Sequence, residues 1–243
     1  MRDKKIWIFN AGNAFDGNPK WLFMYIVNYR KDITPYWFCY TEETRNYIRK
    51  LGYQAFLFKS KMAEKIGSQA GVYVVNQKKE VFQDYLKGIT VLNLWHGVGC
   101  KTVEKGVTYG FLNERIIKKH IINMDCYQNY QLFLVTSPLM EKHFIKQCDL
   151  AEDKIIRAGY PCCFYPGKIK TYDHDILKQK KLPEDTKIAV YAPTYRDASA
   201  TNFFSQAIPD MEKLVDVLEK NNFLLIFKMH PLMANDFQYQ NIS

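Results

Sequence analysis

Short apolar runs alternate with amphipathic stretches from the start of the chain, and this order constrains the fold more than any other feature. KIWIFN is an apolar run, WLFMYIVNYRK has apolar residues at helical spacing, and PYWFCYT is a second apolar run. Strand, helix and strand in this order are typical of a parallel sheet with crossover helices. Asn18 and Pro19 suit the start of the first helix, because Asn caps well and Pro fits the first turn.

The alternation continues along the chain. ETRNYIRKLG predicts a helix that Gly52 ends, while QAFLF, GVYVVN and ITVLNLWHG predict strands. QLFLVTS predicts a further strand, followed by the helix PLMEKHFIKQC. A polar, Lys-rich stretch at about 171–183 predicts a linker or linking helix. We therefore expect one α/β domain at 1–170 and a second α/β unit at 171–243, which holds too few elements to cover a sheet and looks truncated.

Composition limits the partners. The 34 Lys and Arg against 25 Asp and Glu give a net charge of +9, which favours polyanionic partners. The basic residues are spread along the chain and no nucleic-acid-binding motif is present, so nucleic acid is not expected.

No apolar stretch approaches the roughly 20 residues of a membrane span and the N-terminus lacks a signal-peptide pattern, so we expect a cytoplasmic protein. The six cysteines form no CxxC pair, and we expect neither a metal site nor a cofactor.

Three segments place polar residues directly after buried apolar runs: NLWHGVG, VYAPTYRD and FKMHP. Ligands of open α/β sheets bind at the carboxyl ends of strands. One histidine could accept a proton from a hydroxyl while the other, or an arginine, steadies phosphate charge. The two histidines fall in different domains, so this interpretation requires a cleft between them. The side chains concerned are His96, Thr194, Arg196, Asp197 and His230.

These segments resemble those of a known family. The early FDGNPKWLFMYI, then WHGVGCK, YAPTYRD and KMHP, are similar, in this order along the chain, to motifs of the CDP-glycerol:poly(glycerophosphate) glycerophosphotransferases. GYP at 159–161 is similar to a further turn of that family, although Cys162 stands where a basic residue is usual. The resemblance implies a GT-B architecture, in which two Rossmann-like domains face a cleft. A donor-phosphate segment of the family is expected beyond Ser243.

The resemblance also implies roles. It implies transfer of glycerol phosphate, or a related polyol phosphate, to a teichoic-acid-like or capsular polymer. The donor would be CDP-glycerol or CDP-ribitol, and the acceptor a polyol-phosphate polymer or a lipid-linked molecule. The domain at 1–170 becomes the acceptor side and 171–243 the donor side. The implied site comprises His96 as catalytic base, His230 as a second catalytic histidine, Thr194, Arg196, Asp197 and Gly97 as donor or phosphate contacts, and Asn18 and Lys20 on the acceptor side.

Plainer interpretations stay open. His96 could cap a strand end, Thr194 could cap the next segment, Arg196 and Asp197 could form a solvated pair, and Asn18 and Lys20 could simply begin a helix. His120, His143 and His174 are interpreted as surface residues. A basic amphipathic helix at 113–123 could lie on an anionic membrane, which would make the protein peripheral. A GT-B glycosyltransferase using a sugar nucleotide and a nucleic-acid-binding module are the alternative functions.

Overall fold

The structure is a computed structural model, and it divides the chain into two compact units, Met1–Lys170 and Thr171–Ser243. Both units combine helices with parallel strands, so the predicted α/β class is confirmed. The acceptor-side and donor-side roles given to the two parts of the chain remain predictions. The residues that the structure describes are 1–76, 83–99, 102–110, 113–114, 117, 132–167, 176–193 and 206–228.

The first unit is built on a parallel sheet, to which the described residues contribute seven strands. In chain order they are β1 (Asp3–Phe9), β2 (Thr34–Cys39), β3 (Ala55–Leu57), β4 (Ala70–Val75), β5 (Thr90–Asn93), β6 (Leu132–Val135) and β7 (Ile155–Arg157). Across the sheet the order is β3-β2-β1-β4-β5-β6-β7. The order therefore reverses between β1 and β4, which is where doubly wound sheets bind ligands.

Polar side chains cap the start of the three helices that follow Thr41, Ser60 and Ser137. Thr41, Ser60 and Ser137 each accept a hydrogen bond from the backbone N–H three residues ahead, which satisfies one of the free donors at a helix start. The helices that are described with bounds in the first unit are α1 (Gly17–Tyr29), α2 (Glu42–Lys50), α3 (Lys61–Gln69), α4 (Pro138–Cys148) and α5 (Pro161–Phe164), with 3₁₀ turns at Asp84–Leu86, Glu104–Gly106 and Glu152–Lys154.

Both faces of the sheet are buried. Successive residues of a strand point to opposite faces, so Ile8 and Phe38 belong to one buried cluster, and Phe9 and Trp37 to the other. The first cluster includes side chains of α3 and α4, and the second includes side chains of α1 and α2. Helices thus cover each face, as a parallel sheet requires.

Two local features differ from the sequence prediction. The helix α3 was not predicted, because its sequence KMAEKIGSQ is short and mostly polar, although Ser60 is a good cap. The run ITVLNLWHG was predicted to be one long strand, yet β5 ends at Asn93. The cause is a side-chain hydrogen bond within the following turn, which is described below.

The second unit contains a pair of parallel strands. They are β8 (Lys187–Tyr191) and β9 (Phe223–Phe227), joined in register from Lys187↔Phe223 to Tyr191↔Phe227. The helix α6 (Ile176–Lys180) lies in the stretch predicted to be a linker or linking helix, and α7 (Met211–Lys220) precedes β9.

The lengths and composition of the helices decide whether any of them could span a membrane. Among the described residues, no helix combines the length and apolar character needed to cross a bilayer. The basic amphipathic helix predicted at 113–123 falls largely outside the described residues, so its placement on a membrane stays a prediction.

Arg2 ties the start of β1 to neighbouring loops. Its guanidinium donates to the carbonyl oxygens of Gly67, Ala70 and Tyr85 at 2.6, 2.8 and 2.9 Å. It also donates to that of Lys87, at 2.6 Å from Nη2. A planar fork of five donors suits such a set of acceptors.

We expect Arg2→Ala to lower the free energy of unfolding by about 1.5–3 kcal/mol, because several charge-assisted hydrogen bonds to part-buried and exposed carbonyls are lost together. Arg2→Lys should recover only part of this loss, since lysine cannot present the fork. Chemical denaturation measures both. The matched control is Arg30→Ala, which removes an exposed ion pair with Asp32. Equal effects of Arg2→Ala and Arg30→Ala would contradict the account.

Candidate active site

The turn after β5 is shaped by a buried asparagine. Asn93 is fully buried, and its Oδ1 accepts the backbone N–H of Trp95 at 2.8 Å. Trp95 has a φ of 54°, in the left-handed region. That conformation costs a residue with a side chain about 1–2 kcal/mol, so surrounding contacts must hold it. The asparagine contact takes Trp95 out of the strand, and the chain then presents His96 above the edge of the sheet.

His96 is oriented by two contacts. Its Nδ1 lies 2.9 Å from the carbonyl oxygen of Asn76, the residue that follows β4. Its ring stacks on Trp95, with centroids 4.3 Å apart and an angle of 26° between the planes. Because a carbonyl oxygen can only accept, Nδ1 carries the hydrogen, and the neutral ring has its lone pair on Nε2. The side chain is exposed, so Nε2 is the atom through which this site can take a proton.

Asn18 supports the same turn from below. It is 3% exposed, and its Nδ2 donates to the carbonyl oxygens of Trp95 at 3.0 Å and Leu94 at 3.4 Å. Its Oδ1 accepts the backbone N–H of Cys162 at 3.4 Å. The acceptor-side role of Asn18 stays a prediction; in the described part of the chain, its side-chain hydrogen bonds are all with backbone groups. They describe a residue that positions the turn.

Tyr160 holds the turn from the other side. Its hydroxyl donates to the carbonyl oxygen of Gly97 at 2.6 Å. Burial raises the pKa of this phenol to about 12, so the hydroxyl remains a donor at neutral pH. Among the described residues, no atom lies within 4 Å of a Cβ added at Gly97. The described residues thus leave room beside Gly97, and the phosphate contact predicted for it stays a prediction.

The start of α1 packs against the residue that holds His96. Gly17 has a φ of +60°, and a Cβ there would lie 2.7 Å from Nδ2 of Asn76. Asn76 is 8% exposed. A glycine is needed here both for the left-handed backbone and for the close approach. Substitution at Gly17 would push on the segment whose carbonyl fixes His96.

Lys20 lies on the first turns of α1 against aromatic rings. Its Nζ is 5.5 Å from the ring centroid of Phe15 and 5.2 Å from that of Trp21. Burial lowers the pKa of this amine, and the charge of Asp16 opposes the shift. Cation–π contact favours the charged form in a half-buried position. The side chain can therefore offer a positive charge to an anion, as the acceptor-side prediction requires.

His143 proves to pack against the loop that follows His96. A Cβ at Gly99 would lie 2.6 Å from the His143 ring, and the Gly99 N–H lies 3.2 Å from Sδ of Met140. The Nε2 of His143 is buried. His143 is thus half-buried, with one edge of its ring packed against this loop, and is not the simple surface residue that the sequence predicted. His120 and His174 lie outside the described residues.

Half of the predicted site is not described. His230, Thr194, Arg196 and Asp197 lie outside the described residues, and their assignments stay predictions. The described residues contain no cluster of three or more His, Cys, Asp or Glu side chains that could hold a metal ion. The structure thus brings together Asn18, His96 and Gly97 around one turn.

Comparisons with known proteins agree on one family. The family model described as CDP-Glycerol:Poly(glycerophosphate) glycerophosphotransferase matches residues 1–242. A teichoic acid poly(glycerol phosphate) polymerase of Bacillus spizizenii is 22% identical, over 97% of this chain and 61% of its own. A teichoic acid glycerol-phosphate transferase of Staphylococcus aureus is also 22% identical, over 92% of this chain and 58% of its own.

A solved structure shares the fold. The structure of the wall teichoic acid polymerase TagF superposes with a TM-score of 0.71 at 21% identity, covering 96% of this chain and 58% of that one. At this identity the likeness supports the fold alone. The chain spans about three fifths of the length of these relatives.

We expect Asn18→Asp to destabilise the protein by about 1–3 kcal/mol, because a carboxylate of the same size cannot donate to the carbonyls of Leu94 and Trp95. Thermal or chemical unfolding measures the loss. Asn28→Asp is the matched control, since Asn28 lies on the same helix, is exposed, and its amide donates to the hydroxyl of Tyr165 in an exposed hydrogen bond. If the two variants lose equal stability, the buried role of Asn18 is wrong.

The Tyr160 contact should show a defined pH dependence. The folded-state pKa of about 12 lies above the ordinary value of about 10. The protonated phenol therefore stabilises the folded state fully below pH of about 10, and this contribution is lost as the pH rises towards 12. The stability difference between wild type and Tyr160→Phe should be constant from pH 7 to 9 and shrink at pH 11. A difference that grows with pH would contradict the assignment.

Proposed function

The chain belongs to the CDP-glycerol:poly(glycerophosphate) glycerophosphotransferase family, and from this premise we propose that it transfers glycerol phosphate, or a related polyol phosphate, from a CDP-activated donor to a hydroxyl of a teichoic-acid-like or capsular polymer. The observation that carries the proposal is the hydrogen bond between Nδ1 of His96 and the carbonyl oxygen of Asn76. It leaves Nε2 of an exposed imidazole free of a proton, as a general base requires.

The proposed step is an in-line displacement at phosphorus. Nε2 of His96 takes the proton of the acceptor hydroxyl while the acceptor oxygen forms a bond to the phosphorus that carries glycerol. The bond from this phosphorus to the CMP oxygen breaks, and CMP leaves with the electron pair. The imidazolium formed at His96 faces the Trp95 ring, which attracts a cation.

Charge neutralisation is assigned to basic and polar side chains. We propose that Lys20 attracts the anionic acceptor, since its amine is half-buried beside Asn18 on the first turns of α1. Donor phosphates are assigned to Gly97, Thr194, Arg196, Asp197 and His230, by the resemblance of their segments to the family. Positive groups aimed at phosphoryl oxygens stabilise the charge that develops in such a transfer.

The nature of the acceptor determines where in the cell the reaction takes place. A lipid-linked acceptor would bring the protein to the inner face of the cell membrane, where anionic headgroups attract basic proteins. The net charge of +9 supports this placement. Peripheral attachment of a cytoplasmic protein is therefore part of the proposal.

The test measures CMP release from CDP-glycerol in the presence of a glycerophosphate acceptor, using the full-length protein. We expect release by the wild type and a loss of about 10²- to 10⁴-fold in His96→Ala, because a positioned general base contributes that factor. The matched control, Asn28→Asp, should retain the wild-type rate. Unfolding midpoints verify that each variant is folded.

Two results would redirect the assignment. Release from CDP-ribitol but not CDP-glycerol would change the polyol, while release only from sugar nucleotides would favour a glycosyltransferase. A folded His96→Ala variant with the wild-type rate would remove His96 from the role of base.

A further inference from the structure

Two adjacent cysteines stand beside the turn that carries His96. Cys162 and Cys163 lie in α5, both are exposed, and their Sγ atoms are 3.8 Å apart. The backbone N–H of Cys162 is held by Oδ1 of Asn18, and that of Cys163 by the carbonyl oxygen of Tyr160 at 2.9 Å. The main chain of the pair is therefore anchored, while both residues are exposed and their thiols lie close together.

The spacing of the two sulfurs suits a bridging atom. A metal ion bound by thiolates at about 2.3 Å with tetrahedral angles requires sulfurs about 3.8 Å apart. A direct disulfide fits less well, because bonded cysteines usually have Cα atoms at least about 4.4 Å apart. Consecutive Cα atoms across a trans peptide are only about 3.8 Å apart. The pair can therefore chelate with little movement, whereas closing a disulfide would distort α5.

The remaining described cysteines are unsuited to such chemistry. Cys39 and Cys148 are buried. They offer no paired, accessible sulfurs. Cys100 and Cys126 lie outside the described residues. Within the described part of the chain, chelating thiol chemistry is thus confined to one exposed pair.

We propose that Cys162 and Cys163 form a bidentate site for thiophilic centres, the class that comprises soft divalent metal ions and trivalent arsenicals. Binding replaces both thiol protons by bonds to one centre. With phenylarsine oxide two arsenic–sulfur bonds form, the arsenic–oxygen bond breaks and the two protons leave with that oxygen as water. No oxidation state changes, so the step needs no oxidant.

The position of the site links it to the turn. Asn18 and Tyr160, which hold the backbone of the cysteine pair, also hold the carbonyls of Trp95 and Gly97. An occupant of the dithiol therefore binds to a helix that shares its two supports with the His96 turn. This inference about binding does not depend on the proposed function.

The test uses phenylarsine oxide as the probe, with the protein carrying Cys100→Ser and Cys126→Ser as the background. Intact-mass measurement under native conditions should show one phenylarsine adduct that resists excess monothiol and is removed by a dithiol such as dimercaptopropanol. Cys162→Ser and Cys163→Ser, added singly, should each abolish the monothiol-resistant adduct. The adduct should also raise the unfolding midpoint of the background protein and leave that of the single variants unchanged.

The outcomes are decisive in either direction. A monothiol-resistant adduct that persists in Cys162→Ser or Cys163→Ser would overturn the proposed site. So would the absence of this adduct from the background protein when both exposed thiols of that protein are shown to be reduced by thiol titration. The protein can also be isolated without reductant. If its exposed thiols then fail to titrate and its mass is lower by two hydrogens, the two cysteines form a direct disulfide, and this result also overturns the proposed site. Unfolding curves of the serine variants confirm that they fold.

Discussion

A parallel sheet buried on both faces leaves its edge as the place for polar chemistry, and the first unit is organised by that constraint. Helices cover both faces with apolar side chains, so a ligand can reach the strands only where they end. The cost is a row of backbone groups that lose their ladder partners at this edge and must be satisfied otherwise.

Buried asparagines stand at the ends of the three central strands, and the side chains of two of them satisfy such backbone groups. Asn10 follows β1, Asn76 follows β4 and Asn93 ends β5, and all three are buried. Asn10 illustrates the pattern, since its amide accepts from Gly12 N–H at 2.9 Å and donates to the carbonyl of Phe38 at 2.8 Å. An asparagine can accept and donate at once. The side-chain contacts of Asn10 and Asn93 satisfy backbone groups beyond β1 and β5, and the one at Asn93 turns the chain so that His96 stands above the edge.

Much of this could be predicted from the sequence, and the failures have physical reasons. The apolar runs of β1, β2 and β4 and the motif around His96 carry strong local signals. The hydrogen bond that orients His96 carries no such signal. Its partner is the backbone carbonyl of Asn76, which every residue type would offer at that position. The sequence predicted that the strand continues past Asn93, whereas β5 ends there, because the hydrogen bond from Trp95 N–H to Asn93 forms only in the folded turn. Asn18 was identified as a site residue, but its buried position beneath the turn required the tertiary structure.

The most direct test concerns the proton on His96. If the carbonyl of Asn76 accepts from this ring, nitrogen NMR of the histidine-labelled protein should show the neutral His96 with hydrogen on Nδ1 and the lone pair on Nε2. Comparison with His96→Gln assigns the signal. The opposite tautomer, with hydrogen on Nε2, would contradict the account, because the exposed nitrogen could not then accept a proton from a substrate hydroxyl.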